Sequence, residues 1–110
     1  MSIDAADTLA DQVKREFRRR LIEEQLPRIS RCAQLLGDER VWQRPSDHTN
    51  SVGNLMLHLC GNTTQWIMAQ FTDLQDQRLR EAEFAAADGL SASELCQRLH
   101  EVYTTACDTV

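Results

Sequence analysis

Apolar side chains recur every three or four residues along the first third of the chain, which predicts an amphipathic helix from about Asp4 to Leu36. The stripe consists of Leu9, Val13, Phe17, Ile22, Leu26, Ile29, Ala33 and Leu36. Pro27 lies inside this pattern and should kink the helix, because proline has no amide hydrogen to donate. Gly37 follows the last periodic position and suits the left-handed residue that ends many helices. We therefore expect one long kinked helix that ends near Gly37.

A second helix is predicted after a polar connector that spans residues 38–50. Asn50 or Ser51 is suited to cap its start, and the periodic pattern continues to about Thr72. No charged residue occurs from Ser51 to Thr72, so we expect this helix to be mostly buried. A membrane span is the other interpretation, but the stretch carries too many amide, hydroxyl and imidazole groups for lipid.

The third helix follows a second connector, residues 73–90, and has the clearest start in the sequence. Ser91 and Glu94 have the spacing of a capping box, with Leu90 and Leu95 placed as a hydrophobic staple. The helical period is still running at Val110. We therefore predict a single all-α domain over residues 1–110, with three long helices present and a fourth missing. Truncation at the C-terminus is the interpretation we favour over completion by another chain.

Charge and cysteine usage narrow the function classes. A formal net charge of -5 repels phosphate backbones and anionic lipid, so we expect neither nucleic acid nor a membrane as a partner. The run Arg18–Arg20 is interpreted as a solvated helix face, because consecutive helical residues point in different directions. Four widely spaced cysteines and a polar, acidic N-terminus without a signal peptide predict a cytoplasmic protein with buried free thiols.

The uncharged second helix carries the candidate chemistry. On a helical wheel five polar side chains fall within a sector of about 80°; they are Ser51, Asn54, His58, Asn62 and Gln65. Metal and cofactor sites in helical bundles are built from such inward-facing stripes. The alternatives are that the stripe faces water, or that His58 is a hydrogen-bonded structural residue. One imidazole is not a metal site, and neither His48 nor His100 forms a local ligand motif with it.

Three strings of sequence, in this order, resemble the DinB/YfiT-like superfamily, and within it a branch with no settled activity. They are Trp42–Pro45, Asn50–Asn62 and Asp76–Phe84, of which the N-S-x-G-N-L-x-x-H-L-x-G-N pattern of the second is the most specific. The resemblance covers nearly the whole chain. It implies an up-and-down four-helix bundle with a divalent metal, nickel or zinc, held by three histidines. His58 matches the histidine of the second helix, whereas the H-x-x-x-H pair of the final helix is absent from this sequence.

The resemblance also implies a metal-dependent enzyme acting on a small-molecule substrate. The superfamily includes transferases and isomerases that use a low-molecular-weight thiol such as bacillithiol or mycothiol, and other members are linked to metal-dependent hydrolysis. On this hypothesis His58 is a metal ligand, while Asn54 and Asn62 orient the ligand, a bound water or the substrate. No catalytic residue is assigned.

Two arginines, one cysteine and a second class of function are also considered. Arg78 and Arg80 either bind a carboxylate of the substrate or thiol cofactor or, as we favour, pair with an acidic neighbour, which is Asp76, Glu81 or Glu83. Cys60 projects almost opposite His58 and is a poor candidate nucleophile. The alternative to an enzyme is a stress-associated binding or dimerisation module, with a second copy of the chain as its partner.

Overall fold

The computed structural model describes residues 8–68, 80–86 and 88–110, and the regular secondary structure in these ranges is entirely helical. The elements in chain order are α1 (Leu9–Arg18), a π-helical segment (Arg19–Gln25), α2 (Leu26–Arg40), α3 (Val52–Thr63), a second π-helical segment (Thr64–Met68), α4 (Arg80–Ala85) and α5 (Ala92–Thr109). The all-α prediction is confirmed. A four-helix bundle of DinB/YfiT type stays a prediction.

The first helix starts later than its periodicity predicts. Thr8 has an extended backbone, with φ -77° and ψ 166°, and forms a reciprocal capping box with Asp11. A residue in this conformation cannot continue a helix, so α1 begins at Leu9 and not at Asp4. Residues 4–7 lie outside the described part of the chain.

The irregularity predicted at Pro27 takes the form of the π-helical segment that precedes it. The amide of Leu26 donates to the carbonyl of Leu21, five residues back. A widened turn of this kind relieves the clash between a proline ring and the carbonyl one turn earlier. The helix therefore passes through Pro27 without ending there.

Gly37 breaks α2 as its position predicts, with φ 76° and ψ 179°. This combination belongs to a backbone region that only glycine occupies readily. The chain then makes one more helical turn, and the amide of Val41 donates to the carbonyl of Gly37 at 3.0 Å. The predicted positive φ at Gly37 is confirmed, although the helical backbone resumes up to Arg40.

Helix α5 lies at the centre of the core and packs against both α2 and α3. Its predicted capping box is confirmed, because the amide of Glu94 donates to Ser91 Oγ and the amide of Ser91 donates to Glu94 Oε1. Its buried side chains keep the helical period; they are Ala92, Leu95, Leu99, Tyr103 and Ala106. Ala33 of α2 and Met56 of α3 lie in the same core.

None of the side chains of helix α1 is buried. Leu9 is 75% exposed and Val13 is 53% exposed. The predicted apolar stripe therefore packs against the buried cluster only from Ile22 onwards. Leu9 and Val13 of α1 are thus turned to solvent, whereas Phe17 is half-buried.

Two further expectations need correction. The second connector contains a helix, α4, in its later part, whereas its earlier residues, 73–79, are outside the described ranges. All four cysteines are free, as predicted, but Cys60 alone is buried and Cys32 is exposed. Cys32 lies on the outer face of α2 next to the buried Ala33, so the helical phase and not the residue type decides its exposure.

Candidate functional site

The site is built on the first turn of α3, whose start is fixed by two side chains. Ser51 is the N-cap, one of the two residues predicted for this role, and Asn54 completes a reciprocal capping box. The amide of Asn54 donates to Ser51 Oγ at 3.0 Å, and the amide of Ser51 donates to Asn54 Oδ1 at 3.1 Å. Ser51 Oγ also donates to Asn54 Oδ1 at 2.7 Å. Both hydrogen bonds that the carboxamide oxygen of Asn54 accepts thus come from the N-cap residue, Ser51.

The carboxamide nitrogen of Asn54 connects α3 to α4. Its two hydrogens reach the carbonyl of Glu83 at 3.0 Å and the carbonyl of Ala86 at 2.5 Å. The last carbonyls of a helix have no partner within the helix, so Asn54 caps the end of α4 from outside. Asn54 is completely buried, and with two acceptor and two donor contacts its hydrogen-bonding capacity is used in full.

The connector before α3 also binds the main chain around α4. Arg44 donates to the carbonyl of Phe84, and Trp42 Nε1 donates to the carbonyl of Leu90 at 2.8 Å. Asp38, in the last turn of α2, also accepts from the amide of Ala92 at 2.9 Å. These bonds fix α4 and the turn that follows it against the start of α3.

The contacts described above bring α4 against His58. Nδ1 of His58 lies 3.6 Å from Oε1 of Glu83, with side-chain exposures of 27% and 13% respectively. The ring of Phe84 lies 4.9 Å from the imidazole, centroid to centroid, at an interplanar angle of 31°. A separation of 3.6 Å is longer than an ordinary hydrogen bond, so the carboxylate faces Nδ1 as a close electrostatic neighbour. His58 therefore lies half-open to solvent between a carboxylate and an aromatic ring.

Of the other predicted site residues, the structure describes Asn62 in full, Arg80 in its backbone, and Arg78 not at all. Asn62 lies one turn beyond His58 on α3 and is half-buried. Arg78 lies outside the described residues, and of Arg80 the structure describes the backbone that starts α4. Glu83 was expected only as a pairing partner for these arginines. Glu83 lies close to His58 because α4 packs against α3. The spacing of apolar residues along the chain does not predict that contact.

The remaining histidines and Cys60 do not extend the site. His48 and His100 are exposed, and the described residues contain no cluster of three or more His, Cys, Asp or Glu side chains able to hold a metal. Burial raises the pKa of the Cys60 thiol to about 11. A thiol that stays protonated at neutral pH is a weak nucleophile.

No family model, no curated protein and no solved structure matches this chain. The DinB/YfiT-like resemblance therefore stays a prediction that rests on its sequence motifs. Among the helices that the structure describes, none combines the length and the apolar character needed to cross a bilayer.

Proposed function

We propose that the protein is a DinB/YfiT-like enzyme that uses a divalent metal to act on a small molecule, with His58 as one metal ligand. The observation that carries the proposal is the Glu83 carboxylate opposite Nδ1 of His58. A histidine that binds a metal through one ring nitrogen usually presents the other to a carboxylate or carbonyl, which fixes its tautomer and orientation. Glu83 is suited to that role, and Nε2 of His58 is then the ligand atom.

The described residues supply one ligand and its orienting carboxylate. A catalytic zinc takes three protein ligands, and no set of three is assembled in the described ranges, so we assign no further ligand. Zinc or nickel is the expected metal. When bound, it would supply either a thiolate from a low-molecular-weight thiol or a hydroxide from water. Transfer and hydrolysis are therefore both compatible with the site.

Residues around His58 would position the metal ligand and the substrate. Asn54 holds the backbone of Glu83 and so places its carboxylate beside His58. Phe84 covers the imidazole and limits access of water to one side. Asn62 is the proposed contact for the substrate, and Arg78 and Arg80 are proposed to bind a carboxylate or to pair with acidic neighbours. The free cysteines and the net charge of -5 support a cytoplasmic protein without nucleic acid or a membrane as partner.

The test is metal content of the natural full-length protein, measured by elemental analysis after purification with zinc or nickel present. We expect near-stoichiometric metal in the wild type and its loss in His58→Ala. His100→Ala and His48→Ala remove exposed imidazoles and should keep the metal. Glu83→Gln should bind it about 10–100-fold more weakly, as substitutions of orienting partners generally do. A metal-free, folded wild type, or equal loss in all three histidine variants, contradicts the proposal.

A role in assembly is the second candidate function and rests on a different observation. Leu9 and Val13 expose an apolar face on α1, and exposed apolar patches are a common feature of interaction surfaces. A second copy of the chain is the proposed partner. Sedimentation analysis of the wild type and of Val13→Glu separates the two candidates, because a dimer lost in the variant supports assembly without affecting the His58 site.

A further inference from the structure

Helix α4 covers His58 without being part of the hydrophobic core. It brings the Glu83 carboxylate and the Phe84 ring against the imidazole. The side chains of Ala82 and Ala85 are exposed, and Phe84 is only half-buried. Among the residues that the structure describes, no side chain of α4 belongs to the buried apolar cluster or packs against it. The hydrophobic effect that stabilises α5 therefore contributes little to the position of α4.

Hydrogen bonds to main-chain carbonyls hold α4 in place. The carboxamide of Asn54 donates to the carbonyls of Glu83 and Ala86, and the guanidinium of Arg44 donates to the carbonyl of Phe84. The helix has six residues, and a helix of this length is not stable in water by itself. When these bonds open, α4 therefore unfolds, and the freed carbonyls and donors bind water instead.

Gly89 separates α4 from the anchored start of α5. Its φ is 122°, in the region that glycine alone occupies readily, and a Cβ atom added there would lie in open space. The chain after Gly89 is fixed, because Trp42 binds the carbonyl of Leu90 and Asp38 binds the amide of Ala92. Release of α4 can therefore end at Gly89 and leave the start of α5 in place.

We propose that α4 is a lid that releases from α3 in the native state and so converts His58 from a covered to an open form. One event removes the carboxylate and the aromatic ring together, because Glu83 and Phe84 are consecutive residues of the same short helix. Lids of this kind admit a ligand when open and exclude water when closed. The inference does not depend on metal binding by His58, because access to the imidazole is a property of the metal-free protein.

Native-state hydrogen exchange tests the release. The amide of Ala86 donates to the carbonyl of Ala82 at the end of α4, whereas the amide of Leu99 lies within the core helix α5. After correction for intrinsic rates, we expect Ala86 to exchange roughly 100-fold faster than Leu99, with a rate that stays constant in low urea while that of Leu99 rises. Equal protection at the two amides, or the same dependence on urea, would mean that α4 opens only on global unfolding and would overturn the proposal.

A second experiment asks whether the same event uncovers His58. Arg44→Gln removes the bond to the carbonyl of Phe84. It should raise the exchange rate at Ala86 and the rate at which diethyl pyrocarbonate modifies His58, each by roughly 3–10-fold. Peptide mass spectrometry follows each histidine separately. Unchanged rates, or faster exchange without faster modification, overturn the proposal, since the second result indicates only a frayed helix end.

The matched control is Arg28→Gln, which makes the same change of net charge at an exposed position of α2. It should leave exchange at Ala86 and modification of His58 at the wild-type rates, and an equal acceleration in this variant contradicts the role given to Arg44. Slow exchange at Leu99 shows that both variants are folded. Modification of the exposed His48 should be the same in all three proteins, which excludes a difference in reagent activity.

Discussion

Asn54 shows how much structure one buried side chain can specify. Its carboxamide closes the cap of α3 with Ser51 and holds the carbonyls of Glu83 and Ala86. The cap is a local feature that side-chain spacing can indicate, because both partners lie within one turn. The link to α4 spans 29 residues, and nothing in the helical period of α3 indicates where that amide will find its acceptors.

The first prediction concerns this residue. Asn54→Ala leaves two carbonyls and the Ser51 amide without their partner, and each unpaired buried group costs about 1–3 kcal/mol. We expect the free energy of unfolding in urea to fall by roughly 2–4 kcal/mol, since some of these groups can regain water. The control is Asn62→Ala, which removes a half-buried amide from the same helix and should cost less than about 1 kcal/mol. Similar losses in the two variants would contradict the role given to Asn54.

Among the elements, the N-terminal parts of α3 and α5 agree best with the sequence. Ser51 and Ser91 lie at the predicted starts because capping depends on side chains a few residues apart. The sequence predicts a kink at Pro27 but not its π-helical form over Arg19–Gln25, and it predicts neither the helix α4 nor the exposure of Leu9 and Val13. Each of these depends on what the element packs against, and a repeating pattern of apolar residues does not identify that neighbour.

The contact between the first connector and α3 gives the second prediction. Gly53 donates from its amide to the carbonyl of Val41 at 2.7 Å, and a Cβ atom at Gly53 would lie 2.7–2.9 Å from three atoms of the Trp42 ring. Gly53→Ala should therefore destabilise the fold by about 1–3 kcal/mol, as overpacking generally does.

A double-mutant cycle with Trp42→Leu tests the cause of that loss. Removal of the indole opens the space, so Gly53→Ala should cost little in the Trp42→Leu background, even though Trp42→Leu itself loses the hydrogen bond to Leu90. Additive losses, measured by urea denaturation, would mean that the clash is not the cause.

At the scale of the whole molecule, the buried thiol of Cys60 and the buried phenol of Tyr103 make the stability of the fold depend on pH in alkaline solution. Burial raises the pKa of Cys60 from 9.0 to about 11 and that of Tyr103 from 10.0 to about 12. Above pH 9 the unfolded chain loses these protons while the folded chain keeps them, so the unfolded state is favoured as pH rises. The stability that these groups contribute is complete below pH 9 and is lost progressively up to about pH 12.

The third prediction follows from that window. The two-unit rise at Cys60 corresponds to a loss on the order of 2 kcal/mol between pH 8 and pH 11, at about 1.4 kcal/mol per pKa unit. Cys60→Ala should have a flatter decline of the free energy of unfolding over this range and retain the part due to Tyr103. Cys32→Ala, at an exposed position, should follow the wild-type curve. A Cys60→Ala profile parallel to that of the wild type would contradict this account.

The hydrogen bonds that position α4 have a consequence for how the protein can diverge. Trp42, Arg44 and Asn54 bind main-chain carbonyl oxygens, and every amino acid carries such an oxygen. Exchange of the side chains of Glu83 or Phe84 would leave these bonds in place. The residues that anchor α4 are thus different from the residues that surround His58. Single substitutions can therefore alter the surroundings of His58 while the hydrogen bonds that position α4 are inherited unchanged.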